Sequence, residues 1–201
     1  MTGPRRYQMK ARADSAEATR LSIIGAAIAL FMEGDWAEVS LEAIALRAEV
    51  TLQTVLRRFG SKAGLFSATV EQIAAEVERL RVPEVPGDVR AAIRALVGTY
   101  ETFGTLNWRL LCHESQDPAL PALLERARTV HRSWLQQVFA AHLSESTRER
   151  EHRLSLLFAA TDFYVWKLSR KDLGRSRRHT EQLMLELVQA LLRQFEPKEG
   201  S

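Results

Sequence analysis

Cysteine occurs once, at Cys112, so no disulfide can close within the chain and a reducing, cytoplasmic setting is expected. Long apolar runs are missing. The longest, Ile23 to Met32, is too short to span a bilayer. Asp14 and Glu17 ahead of it, with no small-residue cleavage site behind, argue against an export signal. No segment alternates polar and apolar residues with a period of two, so no sheet is expected. Also absent are a phosphate-binding glycine loop, a Gly-x-Ser-x-Gly elbow and a paired metal-ligand motif on a helix. Cys112 and His113 are adjacent, and neighbours on a helix diverge by about 100°, so they do not converge on one ion. Neither internal repeats nor low-complexity tracts occur. No membrane span, cofactor, metal site or catalytic apparatus is therefore expected.

What is present suits a soluble helical protein. The 201 residues are 46% apolar and 26% charged, enough for a sizeable core in one large domain or two smaller ones. A net charge of +3 permits nucleic-acid binding without demanding it. Charge placement is more telling, because Arg5, Arg6, Lys10 and Arg12 all precede the first acidic residue. Residues 1–16, polar and without apolar period, are expected to form a flexible basic arm.

The most informative stretch is Val39 to Lys62. Ser40 and Thr51 are placed to cap two short helices by accepting from unpaired backbone N–H groups. Leu41, Ile44, Ala45 and Leu46 give the first an apolar face; Leu52, Val55, Leu56 and Phe59 do so for the second. The second helix also carries Gln53, Thr54, Arg57 and Arg58 on its other side. Two short helices joined by a tight turn, the second presenting amide, hydroxyl and guanidinium groups, form the helix-turn-helix pattern that reads the major groove.

Around this stretch the periodicity predicts helices from about Glu17 to Glu33 and about Ala63 to Arg81, with Trp36 and Val39 packing against the first. The segment Val82 to Gly87, with two prolines and a glycine, breaks the pattern. Further helices are expected from Asp88 to about Gly104, Leu106 to Ser115, Asp117 to Leu143, Thr147 to Leu168 and Arg177 to Phe195. Ser146 with Glu149 fits a capping box at the start of the fourth of these. The last two long helices are apolar on more than one face, so each needs burial on two sides. The second side is either the interior of the monomer or a symmetry mate in a four-helix dimer interface, and a homodimer through these helices is expected.

Together these residues resemble the DNA-binding half of the TetR family of bacterial transcriptional repressors. The likeness is carried by Arg20, Ile23, Ile24, Ala26, Ala27, Leu30, Phe31 and Gly34 in the first helix. It continues through Val39, Leu41, Ile44, Ala45, Ala48, Val50 and Thr51, and closes with Phe59, Gly60, Ser61, Lys62, Leu65 and Phe66. It covers about Glu17 to Val70. Three positions depart from the pattern: Glu49 where a turn glycine is usual, Leu56 where a tyrosine is usual, and Arg58 where a histidine is frequent. At Glu49 a side chain is disfavoured if the backbone takes positive φ.

The resemblance implies an all-α protein: a three-helix helix-turn-helix DNA-binding domain over 17–65, then a helical ligand-binding and dimerisation domain over 66–201, the junction falling inside the Ala63–Arg81 helix. It implies that Thr51, Gln53, Thr54, Arg57 and Arg58 face the groove of a double-stranded, palindromic operator, while Arg20, Ser40 and Lys62 contact phosphate. It also implies a small-molecule effector. Phe103, Trp108, Cys112, His131, Trp134, Asp162 and Trp166 are the candidate pocket, able to supply apolar walls and a few polar groups. For these the bland alternative is aromatic core and surface histidine. At the level of function, two alternatives stand beside a ligand-released repressor: a DNA-binding protein with no ligand, and an all-helical enzyme.

Overall fold

The computed structural model describes residues 4–34, 38–81, 87–115 and 120–196, with side chains from Ala13 onward. All regular structure among the described residues is helical, as expected. The chain divides into two compact units, Met1–Ala75 and Glu76–Ser201. The division lies inside a helix, between Ala75 and Glu76.

In the first unit, α1 (Pro4–Glu33) begins well before the expected Glu17, so most of the segment anticipated as an irregular arm is helical. Its Ile23, Ile24, Ala27 and Phe31 are buried together with Val39, Ile44, Ala45, Val55, Leu65 and Phe66. Phe31 meets Phe66 edge to face, with ring centroids 6.3 Å apart. The stretch Ala13–Glu33 is long and apolar enough to cross a membrane by length and composition alone. Its Ile23, Ile24, Ala26, Ala27 and Phe31 are buried in the core of this unit.

Ser40 caps α2 (Leu41–Arg47), its hydroxyl accepting from Ala43 N at 3.1 Å. One expectation fails here: Leu46 is not part of the apolar face but 81% exposed. The helix ends in a Schellman turn, with Val50 N donating to Ala45 O and Glu49 N to Leu46 O. Glu49 takes φ 55°, the left-handed conformation anticipated for that position. Arg47 holds Glu33 of α1 through two contacts of 2.5 and 2.7 Å. Trp36 lies outside the described residues.

Helices α3 (Leu52–Phe59) and α4 (Lys62–Arg81) follow, the latter running across the division between units. In the second unit, α5 (Val89–Cys112) is continuous where two helices were expected. Gly104 was read as a stop, but it lies within the helix because the indole of Trp166 occupies the space a side chain would take. Next comes α6 (Leu120–Val138), extended by a short 3-10 turn at Ala140–His142. The Asp117 start lies outside the described residues.

The expected Thr147–Leu168 helix is broken. Asp162 takes an extended conformation and caps a new helix, separating α7 (Thr147–Thr161) from α8 (Phe163–Lys167), which passes into a π-helical turn at Leu168–Asp172. The carboxylate of Asp162 accepts from Tyr164 N at 2.8 Å, which is why the chain restarts there. The capping box at Ser146 is not formed. Ser146 makes no side-chain cap, and Glu149 instead accepts from Arg153 at 2.8 Å. The last helix, α9 (Arg177–Phe195), has the expected bounds. Its Met184, Leu185, Val188, Leu192 and Phe195 join Leu154, Leu157, Ile93, Leu96 and Leu135 in the core of this unit.

Candidate nucleic-acid interface and inner polar cluster

Thr51 sets the start of α3. Its hydroxyl accepts from Thr54 N at 3.2 Å and lies 3.0 Å from the Thr54 hydroxyl. Val55, fully buried, pins the helix to the core of the first unit. That anchoring leaves Gln53 and Arg57 exposed on the other side. Arg58 is turned partly inward: it is half-buried, and its Nε is the one buried side-chain polar atom without a hydrogen-bond partner among the described residues. Arg57 and Arg58 occupy the last turn of α3, where positive charge complements the helix dipole.

Lys62 opens α4 beside the end of α3. The turn between them is tight: Ser61 Oγ accepts from Gly64 N at 3.1 Å, and a Cβ at Gly64 would fall onto the carbonyl oxygen of Phe59. Ser40 sits at the N-terminus of α2 with its hydroxyl committed to capping. Arg20 is engaged within the unit, paired with Glu17 at 3.0 Å and donating to Gln72 of α4 at 3.1 Å. Of the eight residues expected to meet DNA, Thr51, Gln53, Thr54 and Arg57 therefore share one helix face or its cap, with Lys62 following closely. Arg20 is placed as a tie between α1 and α4.

The candidate pocket residues separate into two groups. Trp108 and Cys112 are exposed on the C-terminal half of α5. Trp108 meets Tyr164 edge to face at 6.5 Å, and Lys167 Nζ stands 4.2 Å from its ring centroid. Phe103 is half-buried on the same helix. His131, Trp134 and Trp166 are buried, and Asp162 is half-buried. Trp166 lies near Tyr100, at 5.9 Å between centroids, and donates from Nε1 to Glu101 at 2.8 Å. Glu101 also accepts from Arg170 at 2.7 and 2.8 Å, and that pairing holds its carboxyl below the usual range.

The inner group is organised by residues the sequence reading did not single out. Arg81, the last residue of α4, donates from Nε to Thr99 Oγ1 at 3.2 Å and from Nη1 to His131 Nδ1 at 3.1 Å. Accepting at Nδ1 makes His131 the Nε2–H tautomer, so Nε2 donates to Thr161 Oγ1 at 3.0 Å. That hydroxyl in turn donates to Leu157 O at 2.7 Å. The Tyr100 hydroxyl donates to Thr161 O at 2.9 Å, and Trp134 Nε1 to Arg81 O at 3.0 Å. Burial, then the neighbouring Arg81 charge, push His131 down to about 3, leaving it neutral. Burial pushes the Tyr100 phenol up to about 12 and the Asp162 carboxyl above its usual range. One sequence signal for Arg81 existed: it continues the apolar stripe of α4 four residues after Val77, an odd place for a charge.

The fold is a helix-turn-helix unit joined in sequence to an all-helical unit. Residues 23–69 match the family described as bacterial regulatory proteins, tetR family. No curated protein matches the chain. Among solved structures, a tetR-family transcriptional regulator from Streptomyces coelicolor is 20% identical, covers 92% of each chain and superposes with a TM-score of 0.66. A transcriptional regulator from Rhodococcus sp. Rha1 is 18% identical over 87% of this chain and 96% of its own, with a TM-score of 0.67. A structure described as a SmeT–triclosan complex is 18% identical over 86% of this chain and 90% of its own, with a TM-score of 0.65. These similarities establish a shared fold.

Proposed function

We propose that this protein is a sequence-specific DNA-binding transcriptional regulator: a cytoplasmic homodimer that represses from a palindromic operator and is released by a small-molecule effector. The observation that carries this reading is α3, fixed by its Thr51 cap and buried Val55 while Gln53 and Arg57 stand exposed. Amide and guanidinium groups match adenine and guanine edges, each good bidentate pair contributing about 1–3 kcal/mol of discrimination. Thr54 and Arg58 belong to the same helix, and Ser40, Lys62 and Arg20 are the candidate phosphate contacts.

Dimerisation is supported by apolar surface that one chain leaves open. Tyr164, Leu168 and Leu173 are more than half exposed, and Leu187 of α9 is 40% exposed. Pairing across a two-fold axis would cover such a surface, and two α3 helices about 34–36 Å apart would enter successive major grooves. An effector is supported by the polar cluster inside the second unit and by SmeT, a structural neighbour described with triclosan bound. This cluster is suited to binding: the lone pair of His131 is taken by Arg81.

Selection of duplex DNA from a random pool tests the reading. A two-fold symmetric consensus is expected, and Arg57→Ala should relax one position in each half-site by about 10-fold or more. Equal recovery of all sequences would sink it.

A further inference from the structure

Among the described residues, Arg81 is a cation without a counter-ion. It keeps only 7% of its surface exposed, yet a guanidinium stays charged in proteins. Burying a charge is costly unless an opposite charge or full hydrogen bonding compensates. Its hydrogen-bond acceptors, Thr99 Oγ1 and His131 Nδ1, are neutral, and so is the Tyr100 hydroxyl that also bonds to it. The faces of Tyr100 and Trp134 flank the guanidinium at 5.4 and 5.7 Å. Rings offer a cation some attraction, but no formal charge.

Among the described residues none of the carboxylates pairs with it. Glu101, one residue beyond Tyr100, is committed to Arg170 and Trp166. Asp162 is used to cap α8, and its burial favours the uncharged acid. The C-terminal end of α4 itself contributes only about half a negative charge. What remains is a buried positive charge among aromatic rings, with Phe158 adding an edge to His131 at 4.9 Å. Two of the five guanidinium N–H groups are spoken for by the bonds to Thr99 and His131, and a planar carboxylate is the acceptor that best matches such a fork.

We infer that Arg81 anchors an anion-binding site in the helical unit, and that the effector is a small aromatic molecule bearing a carboxylate. The word effector rests on the regulator reading above; the anion site does not. The charge of the ligand meets Arg81, and its ring lies among Tyr100, Trp134 and Phe158. Because α4 runs from Lys62 to Arg81, one helix would carry both a candidate phosphate contact and the ligand's anchor.

The test uses the full chain with benzoate as probe, benzamide as its neutral counterpart, and sodium chloride at equal ionic strength. Benzoate at ten times its Kd should raise Tm by about 3 °C, and the two controls should not. The rise should vanish in Arg81→Met. If that variant does not fold, side-chain NMR of the wild-type protein with 15N-labelled arginine replaces it: benzoate should move one exchange-protected Nε–H signal and benzamide none. A rise of equal size with benzamide or chloride, a rise that survives Arg81→Met, an unmoved Nε–H signal, or no response to benzoate overturns the site. Operator affinity is measured separately. Benzoate bound through Arg81 with unchanged DNA affinity would keep the anion site and overturn its role as effector site. Benzoate binding by a chain that prefers no DNA sequence would keep the site and retire the regulator reading.

Discussion

Trp166 of α8 fills the space that Gly104 of α5 leaves empty: a Cβ at residue 104 would stand 2.6 Å from Cζ3 of the indole. Real Cβ atoms do not come so close, so one of the two helices or the ring must move. Gly104→Ala should therefore destabilise the protein by about 1–3 kcal/mol, the usual cost of overpacking. The urea midpoint measures it. In a Trp166→Ala background the same substitution should cost little, because the obstructing ring is gone. A full cost in that background would show that the glycine serves some other purpose.

Gly104 also shows where sequence reading stops. A glycine inside a helical pattern reads as a stop, and only the partner from a distant helix reveals that it is packing. Asp162 presents the opposite case, an ordinary polar residue in a long apolar pattern that breaks the helix by capping its successor. The helix-turn-helix was legible because its cues are local: Ser40 and Thr51 as caps and apolar residues at helical spacing. The inner cluster was half legible. His131, Trp134, Asp162 and Trp166 stood out by residue type, whereas Arg81, Thr99 and Thr161 acquire their meaning from partners up to 61 residues away. Trp108 and Cys112 were grouped with them by type and lie on the surface instead.

At Glu49 the backbone sits at φ 55°, where a Cβ crowds the following carbonyl at a cost of roughly 1 kcal/mol. A glycine in its place would relieve that crowding, so Glu49→Gly should stabilise the chain by about 0.5–1 kcal/mol, less what the more flexible unfolded chain takes back. Thermal unfolding checks this, with a rise in Tm of about 1–3 °C expected. A fall in Tm would mean that the Glu49 side chain makes a compensating interaction.

His131 makes stability depend on pH in a window well above the carboxylates. Its folded pKa, about 3, lies below the ordinary 6.5 of the unfolded chain, so the unfolded state binds the proton first. Above pH 6.5 both states hold a neutral ring and there is no penalty. As pH falls below that value the unfolded state gains, and by about pH 5.5 roughly 1.4 kcal/mol of stability should be lost. Urea unfolding at pH 7 and pH 5.5 measures the difference. His131→Asn keeps an acceptor for Arg81 but does not titrate, and should flatten the dependence. An equal slope in that variant would assign the effect to other groups.

Lys62 and Arg57 should fail in different ways. Arg57 is exposed on α3, the helix proposed to read base edges, whereas Lys62 is the first residue of the helix that follows. A lysine ammonium is a compact charge without a planar fork, suited to phosphate and indifferent to sequence. Each phosphate neutralised contributes about 0.9 to the slope of log K against log salt. Lys62→Ala should therefore weaken operator and random DNA by the same factor and lower that slope by about 1 per half-site. Arg57→Ala should instead weaken the operator more than random DNA, narrowing the ratio between them. Fluorescence anisotropy over a salt series separates the two. If Lys62→Ala narrowed the ratio while leaving the slope unchanged, the phosphate and base roles assigned to these two residues would have to be exchanged.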